Sequence, residues 1–404
     1  MIASMTQAVL EQTTSESRID FLDILRGICI CFILLANLKL FSGYFFLSPE
    51  FAGNFNTSEL DKALKYIQSV FIEGKFYTLF SLLFGIGMVI QYQSFEHDIN
   101  TFKNYMRKRL MILLLIGIFH LWVLWFGDIL AIYALLGLLI LHLFHLPSKT
   151  LLIMGTSFIL LPIVHTWFMA ATGLNPTILL EFFAQRMEDL GIPGGNLLEQ
   201  LLYRQQTENF GLYAATKFYD PLVRIAHVLL EGRLFKVLGV MCIGVVAGRH
   251  ILKHQLLSNH TLLKKIMFWG IAVGLPANIA LTVIQSMEAP IYQVIQTILY
   301  AVGVVPLAMG YAAGLALLLS KRTGFLSLFA PIGKMALSNY IMQTLFAITI
   351  FYGFGLALSG HLSLTAIWGI GLCIILFQGL FSTMWLKYFK QGPLEFVWRK
   401  SIPK

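Results

Sequence analysis

Charge is scarce in this chain of 404 residues: Asp, Glu, Lys and Arg make up 12%, against 57% hydrophobic residues and a mean hydropathy of +0.76. A soluble domain carries roughly 25% charged residues. A water-facing surface built from so few charges would expose large apolar patches. An ordinary cytosolic enzyme, a disordered chain and a secreted disulfide scaffold are thereby excluded. Cysteine is equally sparse. Cys29, Cys31, Cys242 and Cys373 all lie inside apolar runs and read as small buried hydrophobes, with neither a disulfide framework nor a Cys-type zinc pattern. Residues 1–20 hold a single basic group, Arg18, beside Glu11, Glu16 and Asp20. That is not the basic opening of a secretory signal, so the first apolar run is expected to be a retained helix. The two-residue alternation of a barrel is absent too.

What the chain does have is long apolar runs. Ten segments approach the roughly 20 residues that span a bilayer: about 21–42, 66–92, 108–126, 128–146, 150–171, 228–249, 263–285, 291–319, 334–357 and 363–387. The expected fold is all-α, a polytopic integral membrane protein of about ten transmembrane helices. It divides into an N-terminal segment (1–20), a first membrane half (21–171, helices 1–5), a long loop (172–227), a second half (228–387, helices 6–10) and a basic tail (388–404). Two amphipathic stretches in the long loop, 177–190 and 197–213, flank Pro193-Gly194-Gly195 and read either as a cap over a cavity or as a surface-lying pair.

The net charge of +9 is unevenly placed. Lys103, Arg107, Lys108 and Arg109 fall in loop 2–3, and Arg249, Lys253, Lys264 and Lys265 in loop 6–7. Lys321, Arg322 and Lys334 fall in loop 8–9, and Lys387, Lys390, Arg399, Lys400 and Lys404 in the tail. Loops 3–4, 7–8 and 9–10 hold no Lys or Arg, and loop 1–2 holds Lys62 and Lys65. By the positive-inside rule both termini face the cytoplasm and the long loop lies outside. The basic surplus then meets the anionic inner leaflet; its partner is lipid, not nucleic acid.

Glu73-Gly74-Lys75-Phe76-Tyr77 opens helix 2 and Glu231-Gly232-Arg233-Leu234-Phe235 opens helix 6, each followed by a basic loop and another span. This suggests two parallel internal repeats.

Ionisable groups inside spanning helices are expensive and point to function. On helix 1, Asp23, Arg26 and Asn37 lie within about 60° of one another and cover about 21 Å of axis. They are either an ion pair with a hydrogen-bonding Asn, or a stripe in which Arg26 binds an anionic group from the cytoplasm. His120 is the only titratable side chain of helix 3 between Arg109 and Asp128, and an imidazole near a carboxylate is the usual make-up of a general base. On an unbroken helix the two are about 80° apart, so contact needs the turn at Gly127 to swing Asp128 back. The alternative is a His bonded to a neighbouring helix and an Asp capping helix 4. Glu73 and Lys75, like Glu231 and Arg233, read as interfacial pairs, with Lys75 also a substrate-binding candidate. Asn339 and Gln343 share one face of helix 9, as helix glue or, for Asn339, a substrate contact. His142 and His145 alone do not make a metal site, and no metal is expected.

Several stretches resemble a known family. Arg18-Ile19-Asp20-Phe21-Leu22-Asp23-Ile24-Leu25-Arg26-Gly27 with Asn37, and Gly74-Lys75-Phe76-Tyr77-Thr78-Leu79-Phe80-Ser81-Leu82-Leu83-Phe84-Gly85, are similar to the first two motifs of the YeiB-like bacterial membrane proteins, domain of unknown function 418. His120 with Trp125-Phe126-Gly127-Asp128-Ile129-Leu130 and Tyr133-Ala134 resembles the third. Gly333-Lys334-Met335-Ala336-Leu337-Ser338-Asn339-Tyr340 and Gly392-Pro393-Leu394-Glu395-Phe396-Val397-Trp398-Arg399 complete a match running from about residue 18 to 400. The Leu-Asp-x-x-Arg-Gly opening links that family to transmembrane acyltransferases. The resemblance implies a transmembrane-acyltransferase-like fold and transfer of an acyl group from cytoplasmic acyl-CoA to a hydroxyl or amine on the outer face. Arg26 and Lys334 would bind the donor's phosphates, with its arm along the helix 1 stripe, and His120 would act as base or acyl carrier, oriented by Asp128. The chain departs from its relatives where O-acyltransferases place a late helix 1 His, since Asn37 stands there, and residues 43–65 hold no His either. A transporter or flippase of a small or lipid-linked solute suits ten helices, a repeat and intramembrane charges as well.

Overall fold

Each of the ten apolar segments is helical in the computed structural model, which describes residues 2–47, 58–95, 98–253, 256–285, 287, 289–320 and 324–401, with residues 2–19 and Pro290 described by backbone alone. Lys321, Arg322 and Lys404 of the basic loops and tail lie outside the described residues. No strand occurs among the described residues, and the protein is an all-helical, polytopic membrane protein.

The first half comprises α1 (Ile2–Phe41), α2 (Glu59–Ile67), α3 (Lys75–Gln93), α4 (Ile99–Phe119), α5 (Leu130–Leu143) and α6 (Ser148–Thr172). A layer of short helices follows: α7 (Thr177–Asp189), α8 (Leu197–Gln206), α9 (Phe210–Lys217) and α10 (Asp220–Leu230). The second half holds α11 (Arg233–Leu252), α12 (His260–Ile284), α13 (Pro290–Leu319), α14 (Ala330–Lys334), α15 (Ala336–Phe351), α16 (Leu364–Tyr388) and α17 (Pro393–Lys400). Seven described helical segments are long and apolar enough to cross a membrane; α5 and α15 are shorter, at 14 and 16 residues.

The structure corrects several expected boundaries. Helix 2 begins at Lys75, because Gly74 takes φ 85° and turns the chain after a π turn at Gln68–Ile72. Helix 6 begins at Arg233, since Gly232 at φ 58° separates it from α10. The loop stretch 197–213 is two helices, broken where Asn209 accepts a hydrogen bond from Leu212 N and caps α9. Helix 9 breaks at Met335 and ends at Phe351.

The two matching motifs fold alike: each places its glycine in a left-handed conformation that only Gly adopts freely, just ahead of a helix. The helices they open, α3 and α11, pack on each other where Gly85 and Gly244 meet, and a Cβ on either would overlap the other helix's backbone. The surrounding contacts exchange in step. Helix α3 also touches α13 of the hairpin α12–α13, and α11 touches α5 of the hairpin α4–α5. The π turn before α3 rests on α12, and α10, before α11, rests on the end of α4.

The short-helix layer is a docked cap, not a surface-lying pair. Phe183, Met187, Tyr213 and Val223 are buried in one apolar cluster with Phe41, Trp125 and Phe351 of the bundle. Gln205 Nε2 donates to Leu40 O (3.0 Å), Gly353 N donates to Gln205 O (2.7 Å), and Gln206 Nε2 donates to Ser359 O (2.9 Å). The side carrying these helices is called the cap face below, and the opposite side, where the described basic loops lie, the basic face.

Candidate functional site

Helix α4 does not simply end at Phe119. Its last turn widens into a π turn, His120–Leu124, closed by Trp125 N donating to His120 O at 2.8 Å, and the chain then runs extended through Trp125. Such turns are rare and concentrate at functional sites. Gly127 follows with its Cα against the Trp125 ring, leaving no room for a side chain. The reversal brings Asp128 back so that its Oδ1 lies 3.1 Å from His120 Nδ1, without a well-aligned hydrogen bond. The other ring nitrogen, Nε2, is 3.0 Å from Thr344 Oγ1 on α15. His120 is 0% exposed and Asp128 1%. The approach to Asp128 and the bond to a neighbouring helix occur together, and Asp128 also accepts from Leu130 N (3.1 Å) and Ala131 N (2.8 Å) and so caps α5. Hydroxyl, imidazole and carboxylate in this order are the arrangement by which a hydroxyl proton is taken up and the imidazole held in one orientation.

The cap supplies a residue that the sequence reading missed. Arg224, on α10, is buried, and its charge lies in electrostatic reach of Asp128, Tyr340, Glu231 and Arg233. Burial first, and then the Arg233 charge, push its pKa down to about 10. Its Nε and Nη2 have no hydrogen-bond partner, nor has Trp125 Nε1. Helix α10 is held by an ionic knot at its start, where Asp220 pairs with Arg204 Nη2 and Lys217 Nζ, both at 2.6 Å. Lys217 Nζ also donates to Leu124 O (3.1 Å), tying the cap to the end of the π turn. A usable signal was present: Lys217, Asp220 and Arg224 fall at i, i+3 and i+7, one face of a helix.

At the basic face two of the motifs meet. Gly27 on α1 and Gly333 on α14 leave no room for a Cβ where the two segments cross, the former against Phe329 O just before α14 and the latter against Asp23 O. This sets exposed Lys334 near Asp23, whose Oδ1 accepts from Arg26 Nη1 at 2.7 Å. Arg109, on α4, lies in reach of Arg26 and Arg399, and its guanidinium stacks 4.0 Å over the Trp398 ring. The tail motif is the clamp that holds these charges. Glu395 Oε1 accepts from Leu337 N (2.7 Å) and Ser338 N (3.2 Å), capping α15, and Trp398 Nε1 donates to Arg109 O (3.0 Å).

The remaining candidates lie elsewhere. Asn37 is half-buried on α1. Lys75 is 1% exposed and donates to Ser69 O (2.8 Å) in the first π turn; Glu73 pairs with Lys39 (2.6 Å), not with Lys75 as expected. Glu231 and Arg233 do pair with each other. Asn339 is fully occupied as interhelical glue: its Nδ2 donates to Ile332 O and Ser382 Oγ, and its carbonyl accepts from Gln378, which also bonds Gln343. The structure therefore brings together His120 with Asp128, and Asp23 and Arg26 with Lys334, and leaves Asn37, Lys75 and Asn339 outside both groups.

The fold and site define a class: an all-helical membrane protein with a basic cluster at one face and a buried His–Asp pair beneath a docked cap at the other. The chain belongs to the DUF418 family. The model described as "Protein of unknown function (DUF418)" matches residues 247–402. The chain is 31% identical over 405 residues to the "Uncharacterized protein YxaH" of Bacillus subtilis (strain 168), covering 97% of this chain and 96% of that protein. It is 27% identical to the "Uncharacterized protein YeiB" of Escherichia coli (strain K12), covering 94% of each.

Proposed function

We propose that the protein is an acyltransferase of the bacterial cytoplasmic membrane. Its basic face and both termini lie in the cytoplasm and its cap outside, and it moves an acyl group from cytoplasmic acyl-CoA to a hydroxyl or amine at the outer face. The orientation rests on the basic loops. The observation that carries the chemistry is the line Thr344–His120–Asp128, sealed from water, with a hydroxyl already at hydrogen-bond distance from the imidazole.

In this reading Arg26, Lys334 and Arg109 hold the donor's phosphates, guanidinium being suited to phosphate oxygens. Arg109 and His120 share α4, so the basic cluster and the imidazole are about 16 Å apart along one helix. The acceptor hydroxyl or amine takes the place now held by Thr344 Oγ1 and gives its proton to His120 Nε2. Its oxygen or nitrogen attacks the thioester carbonyl, the carbon–sulfur bond breaks, and the departing thiolate recovers the proton from the imidazolium. Asp128 stabilises that imidazolium and fixes the ring. Ile30, Leu113, Ala134 and Tyr340 pack between the two ends, so the donor's arm enters by displacing them. Asn339 is scaffold here.

Proteoliposomes loaded with labelled acetyl-CoA on the basic-face side test the reading. Covalently labelled product on the cap side is expected from the wild type, and none from a folded His120→Ala variant. Wild-type turnover by His120→Ala, or unmodified solute crossing with no product, overturns it in favour of no role for His120 or of transport.

A further inference from the structure

Arg224 is a buried cation without a counter-ion. It is 8% exposed, and no carboxylate among the described residues lies within ion-pair distance of it. The two nearest are already engaged. Asp128 faces His120 and accepts from two amides of α5, and Glu231 is paired with Arg233. Lys236, also 8% exposed, lies 3.7 Å over the Tyr300 ring, so three cations (Arg224, Arg233, Lys236) stand against two carboxylates (Asp128, Glu231). A charge left unpaired in such a place is strongly destabilising, and natural proteins seldom keep one without a purpose.

The unbonded atoms say what is missing. Nε and Nη2 form one edge of the guanidinium, the edge whose two N–H groups point the same way and match two oxygens of a carboxylate or phosphate. Two further groups with a hydrogen to give are unpartnered: Tyr340 OH, in electrostatic reach of Arg224, and Trp125 Nε1, which lies at the end of the π turn against which α10 packs and can only donate. A group rich in acceptor oxygens and carrying negative charge fits; a cation or a neutral amine does not.

We infer that the free edge of Arg224 seats a phosphate or carboxylate group of the molecule that reacts at His120, so that the acceptor is an anionic compound. Its role as acceptor rests on the acyl-transfer reading; the oxoanion site does not. Arg224 is a binding residue fixed by α10, whose start is locked by Asp220, and its charge lies in electrostatic reach of Asp128 and of Tyr340, whose ring is 5.1 Å from the imidazole. The group can reach the site on a lipid headgroup or on a soluble molecule, and the two sources are separable.

The test needs no donor and no turnover. Thermal unfolding of the full chain in phosphatidylcholine nanodiscs is followed against added inorganic phosphate, acetate, or phosphatidylglycerol mixed into the disc. Ligand that binds only the folded state raises its unfolding temperature in a saturable way. The wild type is expected to respond to at least one of these anions. Arg224→Gln, freed of an unpaired buried charge, should be as stable as the wild type or more so without anion, and should bind about tenfold or more weakly. Arg224→Lys, which keeps the charge and loses the fork, should fall between. A response to phosphatidylglycerol alone indicates a lipid-borne group, and one to phosphate or acetate a soluble one. Equal responses from wild type and Arg224→Gln, no response from the wild type, or an Arg224→Gln variant that is destabilised or fails to fold would each overturn the assignment, the last by showing Arg224 to be structural.

Discussion

His120 and Asp128 approach to 3.1 Å although they lie on opposite sides of a helix end, because the π turn at His120–Leu124 and the reversal at Gly127 fold the chain back on itself. Asp128 then does two things at once, capping α5 and facing the imidazole. Asp128→Asn separates them. Asn keeps one of the two capping oxygens, Oδ1 for Leu130 N and Oδ2 for Ala131 N, so the unfolding temperature should fall less than for Asp128→Ala. The charge opposite the imidazolium is lost, and acyl transfer should fall by about 10²–10⁴. Asp128→Ala should lose the cap as well, at about 1 kcal/mol. Parallel turnover and thermal unfolding of both variants check this.

Gly27→Ala and Gly333→Ala should each destabilise the protein by about 1–3 kcal/mol, since the new methyl must push α1 and α14 apart. Gly87 is the control. No atom of a neighbouring helix lies within 4 Å of the Cβ it would gain, so Gly87→Ala should be neutral or stabilising by about 0.5–1 kcal/mol through helix propensity alone. Unfolding of the three variants side by side distinguishes packing from propensity.

Glu395 Oε1 caps a helix far from it in sequence. Glu395→Ala leaves Leu337 N and Ser338 N unpaired and should cost about 1.5–3 kcal/mol, the range for hydrogen bonds to a charged group. Glu395→Gln keeps one acceptor oxygen and should lose less. Faster amide exchange at the start of α15 is the local readout.

Arg224 predicts a pH dependence at the alkaline end. With its folded-state pKa held down to about 10, by burial first and then by Arg233, the residue is protonated in the unfolded chain and neutral in the folded one above that value. The unfolded state then binds more protons, so this group's contribution to stability rises as the pH climbs above about 10. Asp128, Glu231 and Tyr340 also face it, and the contribution is isolated as the difference between wild type and Arg224→Gln. Anion-induced stabilisation should fade over the same range, as the cation that recruits the anion is lost.

Much of this fold can be read from hydropathy, because in a bilayer each apolar run must satisfy its own backbone as a helix. Helix existence follows from that requirement; helix ends do not. Gly74, Gly232 and the two π turns shift or bend the expected spans, and these are decided by where a neighbour leaves room. Asp23 with Arg26 was legible since a helical spacing of three places them together. The role of Glu395 was not, since the amides it caps lie 57 and 58 residues earlier. Arg224 was hidden for another reason: an Arg on a short amphipathic helix looks solvated until the helix is seen docked with that face inward.

The scarcity of charge by itself determined that this chain is a helical membrane protein, and the placing of its basic residues gave the sidedness on which the proposed orientation rests. Only the tertiary structure decided which of the few buried charges are partnered. Asp23 with Arg26, Asp220 with Arg204 and Lys217, and Glu231 with Arg233 are neutralised at ion-pair distance. Arg224 is not, and whether a buried charge is compensated depends on distances across helices that no spacing along the chain specifies.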